Sequence, residues 1–247
     1  MFGNVFNWLA LLRAFAVISN PARFFAAIAR GKELPDVVVR TPTGNVCIHL
    51  RNFESLRTLF SIFCRLDYNT PAQPACAFID VGANIGIASV YFLSRNRANR
   101  VTCFEPDREN LDFLRRNLRT FANRSTICAY ALATSDGSAT LYRAEDGKYS
   151  SLIASERACL PEQIECRSFK STLQTINADT LPITVKIDVE GLELALVNSV
   201  DWREFPTVRR LICEATGWGA TIPRPHTQRV RTALVEDVIF TDEGAPS

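Results

Sequence analysis

Three short segments end apolar runs in carboxylates, at places where a folded chain could do chemistry. They are Phe78-Ile79-Asp80-Val81-Gly82-Ala83-Asn84-Ile85-Gly86, Val101-Thr102-Cys103-Phe104-Glu105-Pro106 and Val185-Lys186-Ile187-Asp188-Val189-Glu190-Gly191. The first is a strand pattern with an acid near its end, then a Gly-rich turn and a helix. Open α/β sheets bind ligands at the carboxyl ends of their strands, where backbone comes close and helix N-termini point at the ligand. Gly82 and Gly86 allow a tight turn with no Cβ in the way. Asn84 occupies the middle, where a left-handed backbone suits Asn best after Gly.

A dinucleotide fingerprint wants glycines at steps zero, two and five, and Gly82, Asn84 and Ile87 meet one of the three. Asp80 would also repel a pyrophosphate. It suits a ligand with a positive end, such as the ammonium and sulfonium of S-adenosylmethionine. Glu105, nineteen residues beyond Gly86, stands where an acid accepts hydrogen bonds from ribose hydroxyls. In the third segment, alternation puts Lys186, Asp188 and Glu190 on one side of a strand. Three charges in a buried strand are expensive unless they meet each other, a ligand or solvent. Either Lys186 is a structural partner of Asp188 or Glu190, or Asp188 and Glu190 stand at the mouth of a site and hold an acceptor or take its proton. Glu214 is a lesser candidate of the same kind, and His226 an outlying one.

The elements that must position these residues follow from periodicity. Strands are predicted at 75–81, 100–104, 125–132, 138–143, 183–189 and 208–213, and helices at 85–94, 107–121 and 192–200. Such alternation predicts an α/β fold with a doubly wound, mostly parallel sheet. Upstream, 37–39 and 46–48 flank a turn and read as a hairpin, and 53–66 has helical spacing. The boundary falls at the Pro-containing stretch 69–74. It divides N-terminal helices, hairpin and cap helix (1–74) from a ligand-binding domain with a short tail (75–247).

Composition excludes several classes. Lys+Arg total 28 and Asp+Glu 26, a net charge of +2, which argues against a dedicated nucleic-acid binder. Eight cysteines without a CxxC pair and two separated histidines give no zinc pattern and suit a reducing cytoplasm. The apolar stretch 5–18 is interrupted by Arg13 and is too short for a membrane span. It reads as half of a helix pair that caps the main domain. The alternative is a peripheral membrane contact anchored by Phe2, Phe6, Trp8, Phe15, Phe24 and Phe25.

The trio DVGANIG, FEP and KIDVEG resembles the FkbM-type methyltransferases, a branch of the class I S-adenosylmethionine-dependent enzymes with a Rossmann-like fold. The likeness covers roughly residues 37–217, including RTPTGNV and RNFESLRTLFSIF. It implies that Asp80, Gly82, Asn84 and Gly86 form the methionine-side loop and that Glu105 holds the ribose. Ala131 would lie at the adenine, and Asp188 and Glu190 nearest the transferred methyl. It also implies O-methylation of a hydroxyl on a sugar, glycan, lipid-linked or natural-product acceptor. Two departures stand out. The segment Ala129-Tyr130-Ala131 lacks an Asn or Asp for the adenine amine, and the tail after Glu214 has scant room for a closing antiparallel strand pair. Residues 144–161, with Tyr149, Ser150 and Ser151, are expected to line the acceptor pocket. The rival readings are a weakly active, membrane-docked scaffold, an NAD-dependent oxidoreductase and a nucleic-acid methyltransferase.

Overall fold

The computed structural model describes residues 5–69, 74–144, 150–151, 158–176, 181–189, 191–214, 222–230 and 235–241. At the N-terminus, helix α1 (Val5–Val17) is followed by α2 (Pro21–Ala29). The Asn20 side chain caps α2, accepting from the Arg23 amide, and Pro21 occupies the first turn, where its missing N–H is no loss. The hairpin β1 (Asp36–Thr41) and β2 (Gly44–His49) comes next, in the expected register. Helix α3 (Phe53–Phe60) then widens into a π-helical turn over Ser61–Arg65, which Leu66 ends with a left-handed φ of 65°.

The centre is a seven-stranded sheet. Its strands are β3 (Ala77–Val81), β4 (Arg100–Phe104), β5 (Ser125–Cys128), β10 (Ile183–Ile187), β11 (Val208–Glu214), β12 (His226–Val230) and β13 (Val235–Phe240). The spatial order is β12-β13-β11-β10-β3-β4-β5. The five strands from β11 to β5 are parallel, and β13 and β12 close one edge antiparallel. This is the doubly wound, mostly parallel sheet the alternation predicts. The closing pair does form, so the short tail completes the sheet.

Helices cover both faces. Phe78 points to one side, with α4 (Ile87–Leu93), α5 (Arg108–Leu118) and the N-terminal elements. Ala77, Ile79 and Val81 point to the other, with α6 (Phe169–Ile176), α7 (Glu193–Asn198) and the buried Trp202. Because side chains alternate along a strand, Asp80 belongs to the Phe78 side. The N-terminal segment shares that side's core and is tied to it by polar contacts. Asn117 of α5 accepts from the His49 amide at 2.7 Å and donates to the carbonyls of His49 and Ile85.

Several expectations need correction. The strand expected at 125–132 is two. The ladder ends where β4 ends, with Phe104 opposite Cys128. After a bend at Tyr130 the chain forms β6 (Ala131–Ala133) in a second sheet, of order β6-β9-β7-β8. That sheet contains β7 (Gly137–Ala144), β8 (Ser150–Ser151) and the long β9 (Ala158–Ser168), which the sequence pattern did not reveal. Strand β10 stops at Ile187, so Asp188 lies just past its end. Phe24, an anchor in the alternative membrane-contact reading, is buried in the core, as a capping helix pair requires. Phe2, the Phe6 side chain and Tyr149 lie outside the described residues, and only the backbone of Ser150 and Ser151 is described. No described helix is long and apolar enough to cross a membrane.

Candidate active site

The parallel register sets up the site. Asp80 on β3 lies directly opposite Lys186 on β10, and both are buried. Their side chains leave the same face of the sheet and meet, with Lys186 Nζ 3.1 Å from Asp80 Oδ1. The other Asp80 oxygen accepts from Ser89 Oγ of α4 at 2.6 Å. Lys186 also donates to the Gly82 carbonyl at 2.8 Å and lies 3.2 Å from Asp188 Oδ2. One ammonium therefore ties the strand tip, the Gly-rich turn and Asp188 together. Burial alone would lower the Lys186 pKa, but Asp80, Asp188 and Glu214 together outweigh it and raise it. Lys186 stays charged.

The turn after β3 is built from left-handed residues: Gly82 at φ 76°, Asn84 at 51° and Gly86 at 84°. The glycines serve chain packing. A Cβ on Gly82 would stand 1.9 Å from the Asp188 carbonyl oxygen, so the turn and the end of β10 can touch only through glycine. A Cβ on Gly86 would meet Leu114 Cδ1 at 2.5 Å, where α4 crosses α5. The Asn84 side chain accepts from the Ile85 amide at 2.7 Å, a local bond that steadies the left-handed turn.

Glu105 is buried at the tip of β4. Its Oε2 accepts from the Asn84 amide at 2.7 Å, and its Oε1 from the Asp107 amide at 2.9 Å. Burial raises its pKa to about 7, against these hydrogen bonds, which favour the charged form. Asp80 and Glu105 thus grip opposite ends of the same loop, Asp80 through Lys186 and the Gly82 carbonyl, Glu105 through the Asn84 amide. Asp80 itself has no exposed surface.

On the other side of β10, Asp188 and Glu214 stand one step past the paired Ile187 and Cys213. The Asp188 side chain is 31% exposed and is the open face of the cluster. Glu214 accepts a hydrogen bond from the buried Tyr68. Burial, then the nearby Asp188 charge, raises the Glu214 pKa to about 7. Tyr68 arrives through the π-helical turn and the left-handed Leu66, and nothing in its sequence context signals this. Glu193 is a second residue the motifs missed. It accepts from the Val189 amide at 3.0 Å and the Gly191 amide at 2.9 Å, fixing the turn that follows Asp188. The visible signal was an acid in the first turn of a helix directly after a glycine. Glu190 lies outside the described residues.

Ala131 lies apart from these residues, on β6, paired with Cys166 of the second sheet. Beside it the Tyr130 ring packs 5.6 Å from Phe104, and the Arg167 guanidinium lies 4.1 Å from the Tyr130 ring centroid. His226 does not join the site. Opposite Phe240 on β12, it sits toward the amino end of β11, at the other end of the sheet from Glu214. Among the described residues, no group of three or more His, Cys, Asp or Glu could hold a metal ion.

In total, three carboxylates (Asp80, Asp188, Glu214) surround one ammonium. Asp80 and Asp188 already outnumber that ammonium, and Glu214 adds negative charge above about pH 7, a surplus that disfavours a phosphate.

The chain is similar to several known methyltransferases. Methyltransferase sdnD of Sordaria araneosa is 26% identical over 215 residues, covering 74% of this chain and 80% of that protein. Among solved structures, methyltransferase FkbM from Methylobacillus flagellatus KT is similar at 16% identity and TM-score 0.45, over 76% of this chain and 54% of that one. This chain thus spans about half the length of that structure. The SAH-bound Podospora anserina methyltransferase PaMTH1 is similar at 8% identity and TM-score 0.42, over 78% of this chain and 80% of that one. The model of the methyltransferase FkbM domain matches residues 80–238, more than half of the chain. The protein belongs to the FkbM methyltransferase domain family.

Proposed function

We propose that the protein is an S-adenosylmethionine-dependent O-methyltransferase acting on a small-molecule or glycan hydroxyl. The observation that carries this reading is the Lys186 node. It fixes the Gly82 turn and leaves one carboxylate, Asp188, open at the strand tips. The left-handed turn at Gly82, Asn84 and Gly86 and the Glu105 carboxylate would hold the cofactor, with Ala131 and Tyr130 toward its base. When bound, S-adenosylmethionine supplies a methyl group already activated on a sulfonium.

The chain's own work is to bind and orient the acceptor and to take its proton. Asp188, held by Lys186, accepts the hydroxyl proton. Glu190 is the second candidate for that role. Glu214, with a pKa of about 7 beside Asp188, changes charge in the working range and sets how negative the pocket is. Net anionic character also steers a cationic cofactor inward. A cytoplasmic setting is part of this reading. It is supported by the buried thiols of Cys64 and Cys213, whose pKa values burial raises to about 12, so that they pack as inert hydrophobes.

Calorimetry with S-adenosylhomocysteine is the first test, with NAD as the competing titrant. A transfer screen with labelled methyl over glycans, lipids and small hydroxylated metabolites then finds the acceptor. Asp188→Asn is expected to keep homocysteine-nucleoside binding and to lower turnover about 10²–10⁴-fold. Unchanged turnover removes Asp188 as the base, and binding of NAD alone removes the reading.

A further inference from the structure

Helix α1 is built the wrong way round for a helix that faces water. Ala10 and Ala14 are fully buried, while Trp8, Leu12 and Phe15 are 68%, 69% and 61% exposed, with Leu9 beside them. Positions 8, 12 and 15 form one stripe at helical spacing. Three large apolar side chains point out while Ala10 and Ala14 fill the inner face.

The orientation is locked. The Arg13 guanidinium donates to the Cys64 carbonyl of the π-helical turn. Arg40 on β1 donates to the carbonyls of Phe15, Ala16 and Ile18 at 3.5, 3.2 and 3.1 Å, covering the last turn of α1. Ile18 bridges to Val39 of the same strand. Rotating α1 to hide Trp8 and Leu12 would break all of these bonds and drive bulky side chains into the space that Ala10 and Ala14 fill.

We propose that this face docks on an anionic phospholipid bilayer, with α1 lying flat at the boundary between headgroups and acyl chains. Charge selects the occupant. The first 32 residues contain Arg13, Arg23, Arg30 and Lys32 and no carboxylate. Arg23, Arg30 and Lys32 are exposed, and the exposed Arg40 stands at the C-terminal end of the apolar stripe. The exposed cations Arg23, Arg30, Lys32 and Arg40 outnumber the exposed Glu33 among them, and an apolar strip on a segment of net positive charge matches an anionic lipid surface. A second copy of the chain is a poor match, because a two-fold contact would set these cations against their own copies. The described length of α1 suits an interfacial position better than a span. Thirteen residues rise about 20 Å, against the ~30 Å of a bilayer core. The ring of Phe25 on α2, 5.7 Å from Phe15, extends the strip sideways.

The test uses the full chain and sedimentation with two vesicle types, pure phosphatidylcholine and phosphatidylcholine with phosphatidylserine. Binding is expected to the anionic vesicles, to weaken in high salt and to be slight on the neutral ones. The triple variant Trp8→Ser, Leu12→Ser, Phe15→Ser is expected to bind at least about tenfold more weakly, with a cooperative urea transition showing that it is folded. Arg23→Glu with Arg30→Glu removes the preference for phosphatidylserine. Equal binding by the triple variant, or wild-type protein left in the supernatant with both vesicle types, overturns the proposal. A dimer that the triple variant dissociates, without vesicle binding, also overturns it and assigns the face to self-association.

Discussion

Two regions break the usual sorting of residues, in opposite directions. At the strand tips charged groups are sealed inside, and on α1 large apolar groups are turned out. The buried charges are matched. Lys186 meets Asp80, Asp188 and the Gly82 carbonyl, and Ser89 takes the second Asp80 oxygen. The exposed Trp8, Leu12 and Phe15 gain nothing from water. The first region is therefore held by partners within the fold, and removing one partner should be severe. The second contributes little to folding, so its side chains should be replaceable without loss of stability. That contrast separates residues that keep the structure from residues kept for contact with something else.

The largest expected effect is at Lys186. Lys186→Met leaves Asp80 buried beneath the turn without its counter-charge, and such a break typically costs about 3–5 kcal/mol. Urea unfolding measures it. The double variant Asp80→Asn, Lys186→Met should recover most of the loss, because it removes the orphaned charge. A single variant within about 1 kcal/mol of wild type would mean that the ion pair does not hold the tip together.

Gly82 comes next. Gly82→Ala is strained by its positive φ and also collides with the Asp188 carbonyl. Gly31, at φ 60° with nothing within 4 Å of an added Cβ, isolates the backbone part. Gly31→Ala should cost about 1 kcal/mol. Gly82→Ala should cost clearly more and weaken S-adenosylhomocysteine binding, since the turn must move away from Asp188. Equal effects in the two variants would show that the collision relaxes freely.

Much of the first region was legible in the sequence because its signals are local. An acid, a left-handed turn and a helix start lie within nine residues, and the apolar runs around them give the strands. The Asp80–Lys186 contact was not legible. It depends on β3 and β10 being neighbours in register, which a chain separation of about a hundred residues conceals. Lys186 read as a partner for Asp188 or Glu190, and the structure adds Asp80. Tyr68 was hidden for the same reason, since it reaches Glu214 only through the π-helical turn. The second sheet was missed because β9 pairs with β7 and β6, long after the main sheet's pattern has broken off. On α1, hydrophobicity was plain but its direction was not. Phe24 and Phe15 look alike in sequence, and packing buries the first and exposes the second.

A pH series tests the buried carboxylates. Glu105 and Glu214 each have a folded pKa of about 7, above the ordinary carboxylate value of 4.5. Between those values the native state holds protons that the unfolded chain releases. Their contribution is therefore full below about pH 4.5 and lost as pH rises through 7. Thermal melts between pH 4.5 and 8 should show this decline superimposed on the other titrations. Glu105→Gln should make the decline shallower, because glutamine stays neutral at the same buried position. An unchanged slope in that variant would place the Glu105 carboxylate in water or keep it ionised throughout.

The smallest expected effect lies on α1. Trp8→Ser and Leu12→Ser, each made singly, should shift stability by no more than about 0.5 kcal/mol, as is usual for exposed positions, and Phe15→Ser by slightly more because it also loses the Phe25 ring. Ala14→Leu is the counterpart from the inner face of the same helix. It adds bulk where no surface is exposed and should cost about 1–3 kcal/mol by overpacking. If the serine variants were the costly ones and the leucine variant harmless, α1 would be turned over in solution. Its large side chains would then belong to the core, and the contrast between the two regions would disappear.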